Sequence, residues 1–284
     1  MDQTIINAKN IMDPIDGWQR DHIYYGLTQT NVRGPFSLDF IESITSIKFN
    51  YGIEAYNKIS EQPGDPKYND FSNSLSSTPP SRTASWTDGY FEFSINALIY
   101  SKSSAPATAP KFPVRGYDIF DITYEKAYGN VYDPVRAWQF NKHIGWKVKT
   151  VAPRKYNPLH VHLINWDLDK YAYTMNIAIQ EVDAAQTVTT KESSSTEFAA
   201  NFGADKGLWK KIGLQFGTSG KTVHASERTV VTSLNSDDLG NTNIDFGNKI
   251  ITGQGVGIKG TYYNTREYST GWVSFSLEPV RVQP

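Results

Sequence analysis

The chain has 284 residues, no cysteine and a formal net charge of −1, from 28 Lys+Arg against 29 Asp+Glu. Near-neutral charge argues against an electrostatic nucleic-acid binder, which needs a basic face. The missing thiols exclude a disulfide framework, thiolate metal ligands and a cysteine nucleophile. The length fits about two domains or one large β body. Aromatic residues make up 13% of the chain (17 Tyr, 14 Phe and 7 Trp). Such side chains suit half-buried pleated surfaces better than helix interiors.

In chain order, residues 3–12 are predicted to form a short helix that stops at Asp13-Pro14, because a residue before proline disfavours the α region. Strand-like runs follow at 37–41 and 44–49. Residues 60–88 form a long polar stretch with Pro63-Gly64 and Pro79-Pro80. Residues 90–100 alternate, with Phe91, Phe93 and Ile95 on one face and Glu92, Ser94 and Asn96 on the other. After a Pro/Ser loop at 101–113 come strand-like runs at 117–124, 138–140, 146–151, 161–166 and 173–182. Short strands separated by turn residues predict an all-β fold, mainly antiparallel. The expected architecture is an elongated β-sheet or β-sandwich with little helix and one amphipathic hairpin.

Composition shifts near residue 183, from Tyr, Trp and Pro to Ser, Thr and Gly. The expected division is therefore 1–182, an aromatic-rich β region for receptor or target recognition, and 183–284, a Ser/Thr/Gly-rich β region. Within the second, residues 196–220 read as two alternating arms. Phe198, Ala200, Phe202 and Ala204 share a face of the first arm, and Ile212, Leu214 and Phe216 share a face of the second. Leu208 and Trp209 lie in the connection, and Ser/Thr tracts flank both arms. Each arm offers about nine residues, near the 9–11 that a tilted membrane strand needs. No charge falls on either apolar face, where a lipid-facing charge costs about 2–4 kcal/mol at the midplane.

A Ser/Thr-flanked amphipathic hairpin inside a β-rich chain of this size resembles the aerolysin-type β-pore-forming toxins, including the epsilon-toxin and mosquitocidal-toxin group. The resemblance covers residues 183–235. It implies a secreted or released protein that binds a target-cell membrane and a receptor (glycan or protein), assembles as a homo-oligomer, and inserts one hairpin per protomer into a transmembrane barrel. Phe198, Ala200, Phe202, Ala204, Ile212, Leu214 and Phe216 would face lipid, while Leu208 and Trp209 would lead insertion. That mechanism has no catalytic residue and no cofactor. The charged tip, Asp205, Lys206, Lys210 and Lys211, departs from a purely apolar one.

Other candidates are weaker in chemistry. His160 and His162 share one strand face but have no third ligand at a diagnostic spacing, so no metal is expected. Asn165, Asp167 and Asp169 read as a turn, since Asn and Asp bond their own backbone there. Gly253-Gln254-Gly255-Val256-Gly257 lacks the helix that a phosphate loop needs and reads as a β-turn or bulge. There is no G-x-S-x-G elbow and no H-E-x-x-H, so an enzyme is not expected. The competing expectation is a non-enzymatic β-sandwich module for carbohydrate or protein binding or adhesion, with loops 61–88 and 101–113 at its working end.

Overall fold

The computed structural model describes residues 1–13, 18–28, 32–60, 90–101, 107–108, 110–157, 159–182, 189–192, 228–231 and 237–282. The chain opens with α1 (Gln3–Met12), capped by Asp2, whose carboxylate accepts from the Thr4 N–H at 2.7 Å. The helix ends where Asp13 precedes Pro14, as expected. Next come α2 (Gln19–Tyr25), β1 (Phe40–Phe49), α3 (Ile53–Lys58), β2 (Tyr90–Ser101), β3 (Ala107–Thr108), β4 (Lys111–Arg115), α4 (Gly116–Ile119), β5 (Phe120–Asp133) and β6 (Trp138–Pro153). Then follow β7 (Val161–Ile164), β8 (Tyr171–Glu181), β9 (Thr189–Glu192), β10 (Arg228–Val231), β11 (Asp237–Asp245), β12 (Ile251–Gly257), β13 (Gly260–Thr265), β14 (Glu267–Ser269) and β15 (Val273–Arg281). The fold is all-β, every strand pair among the described residues is antiparallel, and no described helix is long and apolar enough to cross a membrane.

Two sheets carry the body. The first has strand order β14-β15-β1-β7 and the second β11-β8-β2-β3, with β4 also on β2. Each draws strands from both sides of residues 182/183: β15 pairs with β1, and β11 pairs with β8. They pack face to face through Phe49 and Phe93, whose rings lie 5.9 Å apart. Ile44, Ile47, Phe275 and Leu277 of the first sheet join one buried cluster with Phe91, Ile95, Ile177 and Ile179 of the second. Ile44 and Ile47 are three apart and would point to opposite faces of a regular strand. A register shift between Ile44 and Ser46 resets the alternation, so that both reach the core.

The predicted alternation of β2 holds for Phe91, Phe93 and Ile95, which are buried. Ser94 and Asn96, expected on a polar face, are buried too. With Gln180 they leave three buried polar atoms without a hydrogen-bond partner among the described residues.

α2 lies on the β1 and β15 side of the core and brings buried polar groups with it. Arg20 is fully enclosed and forms a two-point ion pair with Glu42 of β1, Nε to Oε1 at 2.8 Å and Nη2 to Oε2 at 3.2 Å. Its other donors reach the carbonyls of Asn248 and Leu277. Gln19 accepts from the N–H groups of Ile250 and Ile251. Gly26, at φ 55°, ends the helix in the left-handed region that glycine adopts without steric cost.

Candidate functional site

One end of the body gathers three features. The registers define that end. Phe49 of β1 lies opposite Val273 of β15, while Glu181 of β8 lies opposite both Phe93 and Asp237. The Phe49–Phe93 contact brings the two sheets together there.

The first feature is the root of the Ser/Thr-flanked segment. The chain leaves the second sheet at the end of β8 and returns to the neighbouring strand, β11. Between them, β9 and β10 pair antiparallel, with Glu192 opposite Arg228 and Thr189 opposite Val231. That ladder brings residue 192 and residue 228 together across the pair, with 35 residues of sequence between them. The candidate insertion residues Phe198, Ala200, Phe202, Ala204, Leu208, Trp209, Ile212, Leu214 and Phe216 lie outside the described residues, as do residues 61–88 of the polar stretch.

The second feature is the long two-stranded ribbon β5–β6. Its root packs at the same end, with Phe120 5.1 Å from Phe49. Gly52 fits there because a Cβ at that position would lie 2.2 Å from the Val151 carbonyl oxygen. Ile122, Tyr124, Val148 and Val151 reach the core, and burial pushes the Tyr124 hydroxyl above its ordinary range. Farther out, Glu125 pairs with Lys147 at 3.0 Å, and the ribbon pairs with no third strand among the described residues.

The third feature is an open cleft of about 600 Å³ lined by Tyr51, Glu54, Asp238, Gly240, Thr270, Gly271 and Trp272. The Tyr51 and Trp272 rings meet edge to face at 5.1 Å. Asn50 holds the turn that carries Trp272: its backbone N–H donates to the Trp272 carbonyl and its side chain to the Gly271 carbonyl. Lys58 sits 5.5 Å from the Trp272 ring centre. The cleft thus offers an aromatic wall beside two carboxylates, a chemistry that suits a hydroxyl-rich ring.

The remaining sequence candidates have structural partners. His162 exchanges a 2.8 Å hydrogen bond with the Ser43 hydroxyl across the β1–β7 pair, and His160 is exposed. No group of three or more potential metal ligands occurs among the described residues. Asp167 shapes a turn, as expected, accepting from the Asp169 N–H and from the Tyr25 hydroxyl. Burial and this carboxylate hold Tyr25 above the usual phenol range. The glycine run 253–257, expected as a β-turn or bulge, is not a turn but lies in β12, whose register with β13 shifts between Ile251 and Gly253. There Tyr262 lies across the strand, since a Cβ on Gly255 would meet its hydroxyl at 2.4 Å.

The chain matches no known protein-family model, no curated protein and no solved structure.

Proposed function

We propose that this chain is a β-pore-forming protein that binds a target-cell membrane, oligomerises and inserts residues 196–220 as a β-hairpin. The observation that carries this reading is the β9–β10 ladder. It pairs residues 189–192, which lead into the Ser/Thr-flanked segment, with residues 228–231, which lead out of it, as antiparallel neighbours. That is the geometry a barrel requires of each protomer, because only a closed set of paired strands satisfies its backbone in lipid. The segment also leaves from one end of the second sheet and returns to the neighbouring strand, so extending it need not unpick β8 from β11. Burial of the apolar stripe in lipid and closure of strand edges supply the driving force. The reading includes no catalytic step and no cofactor; the partners are the membrane, a glycan or protein receptor and further copies of the chain.

Dye release from vesicles made of target-cell lipid extract tests it. Phe202→Asp puts a charge on the apolar face and abolishes release, while Asn201→Asp on the opposite face leaves release within a few-fold of the parent. Equal loss in both variants, or no release by the parent on susceptible cells, overturns the proposal.

The cleft favours a second reading, a carbohydrate-binding module. Under it, Trp272→Ala abolishes binding on a glycan array and the Asp substitution in the hairpin has no effect.

A further inference from the structure

The outer ribbon is an unusual surface. The side chains of β5 and β6 that reach the main core cluster end at Tyr124 and Val148, and beyond them Ala127 is buried within the ribbon itself. The rungs from Glu125 to Asp133 extend about 25 Å beyond them, at roughly 3.3 Å per residue. Exposed aromatic and apolar side chains crowd this part: Tyr128, Tyr132, Val135, Trp138 and Ile144, with Val135 at the turn 91% exposed. Cross-strand registers and the alternation distribute them over both faces. Tyr128 and Tyr132 lie on one face, and Trp138 on the other, opposite Asp133. Phe140 lies beside Trp138, with rings 6.1 Å apart. Residues 125–147 hold four cations (Lys126, Arg136, Lys142 and Lys147) against two anions, Glu125, which pairs with Lys147, and Asp133, 3.9 Å from Arg136, giving +2 on a chain whose total is −1. Asp133 is already engaged, accepting from the backbone N–H groups of Val135 and Arg136.

We propose that the ribbon tip docks into bilayers bearing anionic headgroups, Val135 entering the acyl boundary and Trp138 and Tyr132 settling at headgroup level. This goes beyond the pore reading by assigning first membrane contact to a segment other than 196–220. Two observations select a bilayer over a protein partner. The apolar and aromatic groups occupy both faces, which a surrounding medium covers and a single partner surface does not. The excess of Lys and Arg complements an anionic surface, each residue near it adding attraction that salt screens. Trp and Tyr concentrate at such interfaces because their rings join an apolar body to a polar edge. Among the described residues neither edge of the ribbon pairs with another strand, which limits entry to the turn, since unpaired backbone is not tolerated in the hydrocarbon.

The cysteine-free chain permits a direct test. A single Val135→Cys, labelled with an environment-sensitive fluorophore, is mixed with phosphatidylcholine vesicles with or without phosphatidylserine. Emission shifts to the blue on the anionic vesicles and is quenched by nitroxide-labelled acyl chains. The same label at exposed Leu38, on the entry to β1 at the opposite end, stays unchanged. Arg136→Gln weakens partition onto the anionic vesicles about fivefold and leaves phosphatidylcholine vesicles unaffected. A silent label at Val135 on vesicles that sediment the protein overturns the proposal. So does a response at Val256 in its place, or a response that needs protein concentration and no lipid, which marks a self-contact. Insertion at Val135 without dye release keeps the docking role and removes the pore; release with a silent Val135 does the reverse.

Discussion

Arg20 and Glu42 form an ion pair with no solvent exposure at either side chain, at 2.8 Å between Nε and Oε1. The pair ties α2 to β1, and through the Leu277 carbonyl it also reaches β15. A buried pair of this kind adds little over an apolar pair of equal volume, yet breaking it strands a charge. Glu42→Gln therefore costs about 3–5 kcal/mol in urea unfolding, and Arg20→Met with Glu42→Leu recovers most of that loss. A single variant as stable as the parent would show that water reaches Arg20.

Tyr24 and Tyr25 set an alkaline limit. Burial, then the Glu42 carboxylate, raises Tyr24; burial, then Asp167, raises Tyr25. In the unfolded chain both ionise near pH 10, whereas folded they keep their protons beyond it. The folded state then binds more protons than the unfolded one, so stability is fully present below about pH 10 and falls as pH rises above it. Each tyrosine contributes a slope of about 1.4 kcal/mol per pH unit there. Tyr24→Phe shifts the baseline by losing the hydroxyl bond to Glu42, but its signature is a shallower slope of urea-unfolding free energy above pH 10.

Gly240 and Gly271 both line the cleft and both have positive φ, at 86° and 104°. They differ in space. A Cβ on Gly240 would lie 2.2 Å from the Thr270 carbonyl oxygen, while one on Gly271 meets nothing within 4 Å. Gly271→Ala therefore carries only the left-handed backbone cost, about 1–2 kcal/mol. Gly240→Ala adds a clash that forces the start of β11 away from the β14–β15 turn, and its Tm falls further. Equal losses in the two variants would mean that the turn yields freely.

Legibility in the sequence followed burial on one face. β2 was visible because Phe91, Phe93 and Ile95 alternate into the core. The outer β5–β6 ribbon was not: with most side chains on both faces in solvent, no alternation separates them, and one long hairpin read as three short runs at 117–124, 138–140 and 146–151. α2 was missed because it is buried nearly all round, through Ile23, Tyr24 and Tyr25 and equally through the polar Gln19, Arg20 and Asp21, so no apolar stripe separates its faces; the partners of the polar residues, Glu42 and the Ile250 backbone among them, are distant in sequence. The compositional change at residue 183 coincides with the chain leaving the second sheet after Val182, and the sheets themselves continue across it. The cleft is assembled from residues near 51, 240 and 271, a proximity that no local pattern encodes.

The absence of cysteine makes the pore reading open to a residue-by-residue test. Single cysteines at 212 to 216, each labelled with an environment-sensitive fluorophore, report whether that arm enters lipid as a strand. In a strand, successive side chains point to opposite faces, so labels at Ile212, Leu214 and Phe216 shift to the blue and those at Gly213 and Gln215 remain in water. A helix would give a period near 3.6 residues, and an arm that stays in the soluble body would give no dependence on vesicles. The period of two must appear only after oligomers form, because an unpaired hairpin would leave its edge N–H and C=O groups unsatisfied in hydrocarbon, at several kcal/mol each. Labels that enter lipid in monomers would therefore defeat the barrel mechanism even with the alternation intact.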